Sequence, residues 1–237
     1  MYTKKLINYQ DNGEAPDDYE DLLLSDGLGA PYKPPLQDLV KFKYVRREEN
    51  PVVVFTVSSG GGRKLRTGQV TQARVIGKLH FELRKDLLPI ASNNFLALTT
   101  GVTGRGNDGV NYHYKGIRIH RIVKNLLFQS GDLLDLKGEC SRSIYNKGGL
   151  FRDENYLLRH TGPGCLSYCN RGPDTNGSLF QVTFTQNFDL DGRYVVFGCL
   201  CSPESYDTLS AINGFGSESG EPLEDIRIAD CGLAWEP

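Results

Sequence analysis

Beyond position 50 the chain reads as short β-rich runs separated by turns, interrupted by two stretches with helical spacing. Pro51-Val52-Val53-Val54-Phe55-Thr56-Val57 is a β-branched and aromatic run that predicts a first strand, and Arg74-Val75-Ile76-Gly77-Lys78-Leu79-His80-Phe81-Glu82-Leu83 predicts a second. Between them Ser58-Ser59-Gly60-Gly61-Gly62-Arg63-Lys64 reads as an enlarged connection, because its glycines and lysine lack the spacing of a phosphate-cradling loop. Pro89 suits a first helical turn, Ala91, Phe95 and Leu98 recur on one face, and Gly101 is a left-handed stop. A second helix is expected from Ser205 to Asn213, with Tyr206, Leu209 and Ile212 at helical spacing and Gly214 as its stop. The last strand is expected to end in Ile226-Arg227-Ile228-Ala229-Asp230-Cys231-Gly232, which leaves Trp235 in a tail. Many short strands with two helices predict a mainly β fold, a closed antiparallel barrel capped by two α-helices.

Positions 1–50 have a different texture, rich in Asp, Glu, Pro, Gly and Tyr without a sustained period, and predict an irregular N-terminal extension ahead of a domain at 51–237. Pro31, Pro34 and Pro35 favour extended or turn backbone there, while Leu22-Leu23-Leu24 and the alternating run Lys41-Phe42-Lys43-Tyr44-Val45-Arg46-Arg47 supply hydrophobic anchors. Two readings stay open: a solvated, disordered tail, and an arm that contacts a protein partner and orders on contact.

A net charge of −2 supplies no long-range field for nucleic acid or an anionic membrane, and no stretch approaches the ~18 apolar residues of a membrane span. Without a signal-like start, a cytoplasmic, reducing compartment is expected. The six cysteines form no C-x-x-C pair and read as buried free thiols; Cys199 and Cys201 alone are a weak zinc signal, so no metal is expected.

The chemistry lies between Ile119 and Gly198. Ile119-His120-Arg121-Ile122-Val123 precedes Phe128-Gln129-Ser130-Gly131-Asp132. Asp153-Glu154-Asn155 leads through His160-Thr161-Gly162-Pro163-Gly164 to Thr175-Asn176-Gly177-Ser178. Leu190-Asp191-Gly192-Arg193-Tyr194-Val195-Val196-Phe197-Gly198 closes the series. In this order and spacing the blocks resemble the cyclophilins, the peptidyl-prolyl cis-trans isomerases, over about residues 51–233. The resemblance implies an eight-stranded barrel with a peptide groove on an outer face, needing no cofactor, and a protein or proline-containing peptide as partner.

A prolyl amide resists rotation with a barrier of ~18–20 kcal/mol, so catalysis must favour the twisted state over both planar ones. The twisted nitrogen gains a lone pair. A guanidinium beside it can donate a hydrogen bond made mainly in the transition state, while an apolar pocket holds the ring. The resemblance assigns the catalytic role to Arg121 and backbone-holding roles to Gln129 and Asn170; Leu190 matches a pocket residue, and Leu126 and Leu127 stand for a phenylalanine and a methionine.

Other positions depart from the pattern. Gln181 replaces a pocket-floor phenylalanine, Tyr194 a histidine and Asp189 a tryptophan, while Arg171 and Cys169 stand where small residues are usual. An amide at 181 demands hydrogen bonds where proline should pack, Arg171 can overhang the groove, and Asp189 can pair with Arg121 or Arg171. Losing a proline-sized apolar contact of ~1.5–3 kcal/mol predicts about one to two orders of magnitude in rate.

The expectation is therefore a cyclophilin-like protein-binding or scaffold domain with weak or lost isomerase activity. The alternative is an active isomerase of altered preference. The loop from Gly101 to His113, with Gly104-Arg105-Gly106-Asn107-Asp108-Gly109, is expected to lengthen the approach to the groove. Its continuation, Tyr112-His113-Tyr114-Lys115-Gly116, is similar to a divergent subset associated with cilia and axonemal radial spokes, which implies a large ciliary complex as partner.

Overall fold

The computed structural model describes residues 47–60 and 73–235. The expected arm, and most of the glycine-rich connection after Gly60, lie outside the described residues.

Eight strands form one antiparallel sheet in the order β3-β4-β6-β5-β7-β2-β1-β8. They are β1 (Val52–Ser59), β2 (Arg74–Leu83), β3 (Arg121–Val123), β4 (Leu127–Ser130), β5 (Cys165–Tyr168), β6 (Phe180–Thr183), β7 (Val196–Leu200) and β8 (Ile226–Trp235). Closure is looser than the closed barrel expected. The edge strands β3 and β8 do not pair with each other, and the seam is stitched by the bridge Arg118↔Arg227 with Ile119 N–H donating to Ile226 O at 2.8 Å and Ile228 N–H to Ile117 O at 2.9 Å. The sheet is a curled, nearly complete barrel whose edge groups near the seam are paired.

Helix α1 (Pro89–Thr100) plugs one end, as its apolar face predicts. Pro89 opens it, and Gly101 closes it at φ 67°, ψ 17° with its N–H on Ala97 O. Its N-terminus is capped from a distance: both Glu154 carboxylate oxygens accept, from Ile90 N–H at 3.0 Å and Ala91 N–H at 2.8 Å. Phe95 inserts into the barrel, its ring centroid 5.1 Å from Tyr114 and 5.2 Å from both Phe180 and Phe197. These aromatics, with Phe55 and Phe81, are the centre of the core.

Helix α2 spans Pro203–Gly214, beginning two residues earlier than the spacing suggested. Its stop differs too: Gly214 stays within the helix, and Phe215 caps it at φ −90°, ψ 3°. The Phe215 N–H reaches Ile212 O at 3.0 Å, a tightened last turn that needs no left-handed residue. Close approach of α2 to β2 depends on Gly77, where a Cβ would lie 2.1 Å from Thr208 Oγ1.

Strand β8 continues past Gly232 to Trp235, which pairs with Val52, so the tryptophan belongs to the ladder and not to a tail. At the other end Asn50 is buried, donating to Glu82 Oε1 at 2.9 Å and accepting from Asp86 N–H at 3.1 Å. The segment 101–113 is not a long approach to a groove: Arg105 and Asn111 bridge it, and Val110 and Tyr112 are buried against the core.

Candidate functional site

Antiparallel partners share one face of a sheet, and four polar residues on neighbouring strands form one row on the barrel's outer face. Arg121 of β3 pairs with Gln129 of β4, Gln129 with Gln181 of β6, and Gln181 with Ser167 of β5. Exposure falls along the row, from the exposed Arg121 through half-buried Gln129 to Gln181 at 1 % and Ser167 at 0 %.

A cleft of about 440 Å³ opens over the exposed end of this row. One wall is Cys169, Asn170 and Arg171, with Leu179 and Tyr194 beside them. Lys137 and Gly138 line the cleft as well, as do His120, Ser219, Gly220 and Glu221. Gly220, at φ 85°, lets its backbone lie against Arg121, whose Cγ and Nε would be 3.1 Å from an added Cβ. The Arg121 guanidinium makes no hydrogen bond or ion pair among the described residues.

The wall holding Lys137 and Gly138 is organised by one carboxylate. Asp132 Oδ2 accepts from the N–H groups of Leu136, Gly138, Glu139 and Cys140 at 2.7–3.3 Å, and Oδ1 from Leu134 at 3.0 Å. Burial pushes the Asp132 pKa up, but these backbone donors outweigh it and hold the carboxyl below its ordinary value. Arg171 ties across the same wall, donating to Glu139 O at 3.1 Å and Gly138 O at 3.4 Å.

Of the residues singled out in the sequence, Arg121, Gln129, Cys169, Asn170, Arg171 and Tyr194 meet at the cleft. Leu126, Leu127, Gln181 and Leu190 do not line it; Leu127 is buried, and Leu126 and Leu190 are half-buried elsewhere. Gln181 is no unsatisfied floor. Its Nε2 donates to Ser167 Oγ at 3.2 Å, and its Oε1 accepts from Gln129 Nε2 at 3.3 Å and from the Cys169 thiol at 3.6 Å. Burial raises the Cys169 pKa well above its ordinary value despite nearby Arg121, which keeps the thiol protonated as a weak donor.

Asp189 pairs with neither Arg121 nor Arg171; it sits in the single turn Phe188–Leu190, its N–H on Asn187 Oδ1 at 3.1 Å. Asn170 is held internally, donating to Arg193 O at 2.7 Å and accepting from Gly172 N–H at 3.3 Å. All six cysteines are free thiols. No group of three or more His, Cys, Asp or Glu side chains suited to a metal occurs among the described residues.

A shallow cleft on the outside of a curled eight-stranded barrel, with one guanidinium free at its edge, can donate to a ligand without a metal, nucleophile or bound group. The family described as cyclophilin type peptidyl-prolyl cis-trans isomerase/CLD matches residues 67–233, more than half of the chain. The chain belongs to the cyclophilins. Within this cyclophilin, sequence reasoning overlooked Leu179, Lys137, His120 and the 219–221 loop as cleft walls. Leu179 had a signal, since strand alternation places it on the face of Gln181 and opposite the core residue Phe180. Lys137 had none, because its position depends on Asp132 gathering a loop with no period of its own.

Proposed function

We propose that this cyclophilin binds proline-containing segments of a protein partner as a scaffold or interaction domain, and that its isomerase activity is attenuated. The observation that carries the reading is the split of the site. The free Arg121 guanidinium stands at the cleft, while Gln181, where the resemblance expects a pocket-floor phenylalanine, is a buried amide tied to Ser167 and Gln129. Arg121 still supports donation to the pyramidal nitrogen of a twisted imide bond, but the ring gains little apolar contact in either state.

Arg121, Lys137 and Arg171 line the cleft against one carboxylate, Glu221, which favours an acidic partner segment. We place the partner in the cytoplasm, with a ciliary axonemal assembly as the specific case suggested by the stretch 112–116 and with the N-terminal arm as a further contact. Tyr112 and Tyr114 of that stretch are core residues, so the sequence likeness there supplies the suggestion without a docking surface.

Titration of the full chain with fluorescent proline peptides carrying Glu or Lys beside the proline tests the reading. The acidic peptide should bind more tightly, with an affinity that falls with salt and on Arg121→Ala. Equal affinities, insensitive to both changes, would contradict it. The second reading, an active isomerase of altered preference, rests on the retained Arg121 and would be favoured by an Arg121-dependent rate equal to that of an ordinary cyclophilin.

A further inference from the structure

Behind the cleft the polar row continues into the protein as an unbroken chain of hydrogen bonds. Asp191 Oδ1 lies 2.8 Å from His160 Nδ1 and also accepts from the His160 backbone N–H at 2.9 Å. His160 Nε2 lies 2.9 Å from Ser167 Oγ, which Gln181 Nε2 reaches at 3.2 Å, and Gln181 Oε1 is 3.3 Å from Gln129 Nε2. The first three members have the order of a hydrolytic triad, but Ser167 and His160 are both 0 % exposed and neither lines the cleft. No acyl group could reach the hydroxyl. The chemistry of this chain is orientation.

We infer that Asp191, His160, Ser167 and Gln181 are positioning residues that fix the polarity of the Gln129 amide, so that its carbonyl oxygen faces the cleft as an acceptor for a donor group on the bound segment. Each link constrains the next. A carboxylate can only accept, so the proton at this contact sits on His160 Nδ1, and in the neutral imidazole Nε2 is then an acceptor. Ser167 must donate its hydroxyl hydrogen to Nε2, which leaves its oxygen to accept from the Gln181 NH₂ group. The Gln181 carbonyl is thereby turned to the other side, where it accepts from Gln129 Nε2 and from the Cys169 thiol. With its NH₂ group held by Gln181, Gln129 directs its Oε1 away from that partner.

Gln181 is indispensable to this transmission. An apolar residue there would end the chain at Ser167 and leave Gln129 free to present either end of its amide. The glutamine is thus a coupling element between the half-buried Asp191 carboxylate and the cleft. This inference rests on the peptide-binding reading above only for the identity of what meets Gln129; the direction of the chain stands on the internal distances and a neutral His160 ring.

The test uses the full chain with ¹⁵N-labelled histidine and glutamine side chains. Long-range ¹H–¹⁵N spectra should show His160 protonated at Nδ1 and bare at Nε2, and the Gln129 NH₂ hydrogens should exchange slowly. Asp191→Glu should keep both signatures. Asp191→Asn, whose amide can donate to the ring, should move the proton to Nε2 and change the Gln129 NH₂ exchange rate, although neither Gln129 nor its strand neighbours is altered. Affinity for the acidic proline peptide should fall about two- to ten-fold in Asp191→Asn and Gln181→Met, the range of one neutral hydrogen bond. A proton on His160 Nε2 in the wild-type chain would overturn the inference, as would Gln129 NH₂ exchange that Asp191→Asn leaves unchanged. Failure of the wild-type chain to bind the peptide, with the Nδ1 proton in place, would instead count against the peptide-binding reading alone.

Discussion

The two faces of strands β4, β5 and β6 differ completely in character. Phe128, Leu166 and Phe180 point inward and are at most 1 % exposed, while their chain neighbours Gln129, Ser167 and Gln181 form the polar row behind the cleft. A period of two puts core and site on alternate residues of the same strands, so the outer face can be rewritten without touching the interior. Here the interior holds a dense aromatic cluster and the outer face holds amides, a hydroxyl and cations. The difference teaches that the packing of the fold and the lining of the site sit on opposite faces of the same strands.

Damage to the inner face should have the largest effect. Phe95 contacts Phe55, Tyr114, Phe180 and Phe197 from the end of the barrel, so Phe95→Ala is expected to cost ~3–5 kcal/mol in denaturant unfolding. A loss below about 1 kcal/mol would mean that α1 is not the plug described here.

Next comes the link between the faces. Gln181→Phe removes three side-chain hydrogen bonds, the one to Ser167 fully buried, and adds bulk beside Ser167, with an expected cost of ~2–4 kcal/mol. A stabilising change would show that the polar row is dispensable to the fold.

Asp132 gives the comparison a pH dependence. Its carboxyl is held below the unfolded value of about 3.9, so its stabilisation of the 133–140 wall is fully present above about pH 4 and is lost as the pH falls through the folded value. Asp132→Ala should remove this acid limb and speed amide exchange at Gly138 and Glu139, whose N–H groups it accepts at 2.7 and 3.0 Å. Unchanged exchange at these amides would contradict the role.

The outermost cations should matter least to folding. Arg171→Gln and Lys137→Gln are each expected to shift stability by less than about 0.5 kcal/mol while weakening an acidic peptide by about two- to five-fold. Equal effects on acidic and basic peptides would remove charge from the account of specificity.

The inner face was legible in the sequence because each of its elements leaves a period. Val52 to Val57, Arg74 to Leu83 and the Ala91, Phe95, Leu98 face all lie in the elements their spacing predicted. The stop of α2 was misread because Gly214 offers a left-handed conformation that the tightened turn at Phe215 does not use. Closure was overstated because no local pattern reports how β3 meets β8. On the outer face, the family resemblance pointed to six cleft residues, but it did not reveal whether Gln181 was an unsatisfied amide or a satisfied one. Its partners Ser167 and Gln129 lie 14 and 52 positions away in the chain and are joined to it only by strand pairing.

The central claim is that the guanidinium has been kept while the apolar seat for the ring has not. Protease-coupled isomerisation of an Xaa-Pro peptide, run side by side on the wild-type chain, Arg121→Ala and an ordinary cyclophilin, tests it most directly. The expected wild-type rate lies about one to two orders of magnitude below that of the ordinary cyclophilin. A wild-type rate equal to the ordinary cyclophilin and abolished by Arg121→Ala would contradict it.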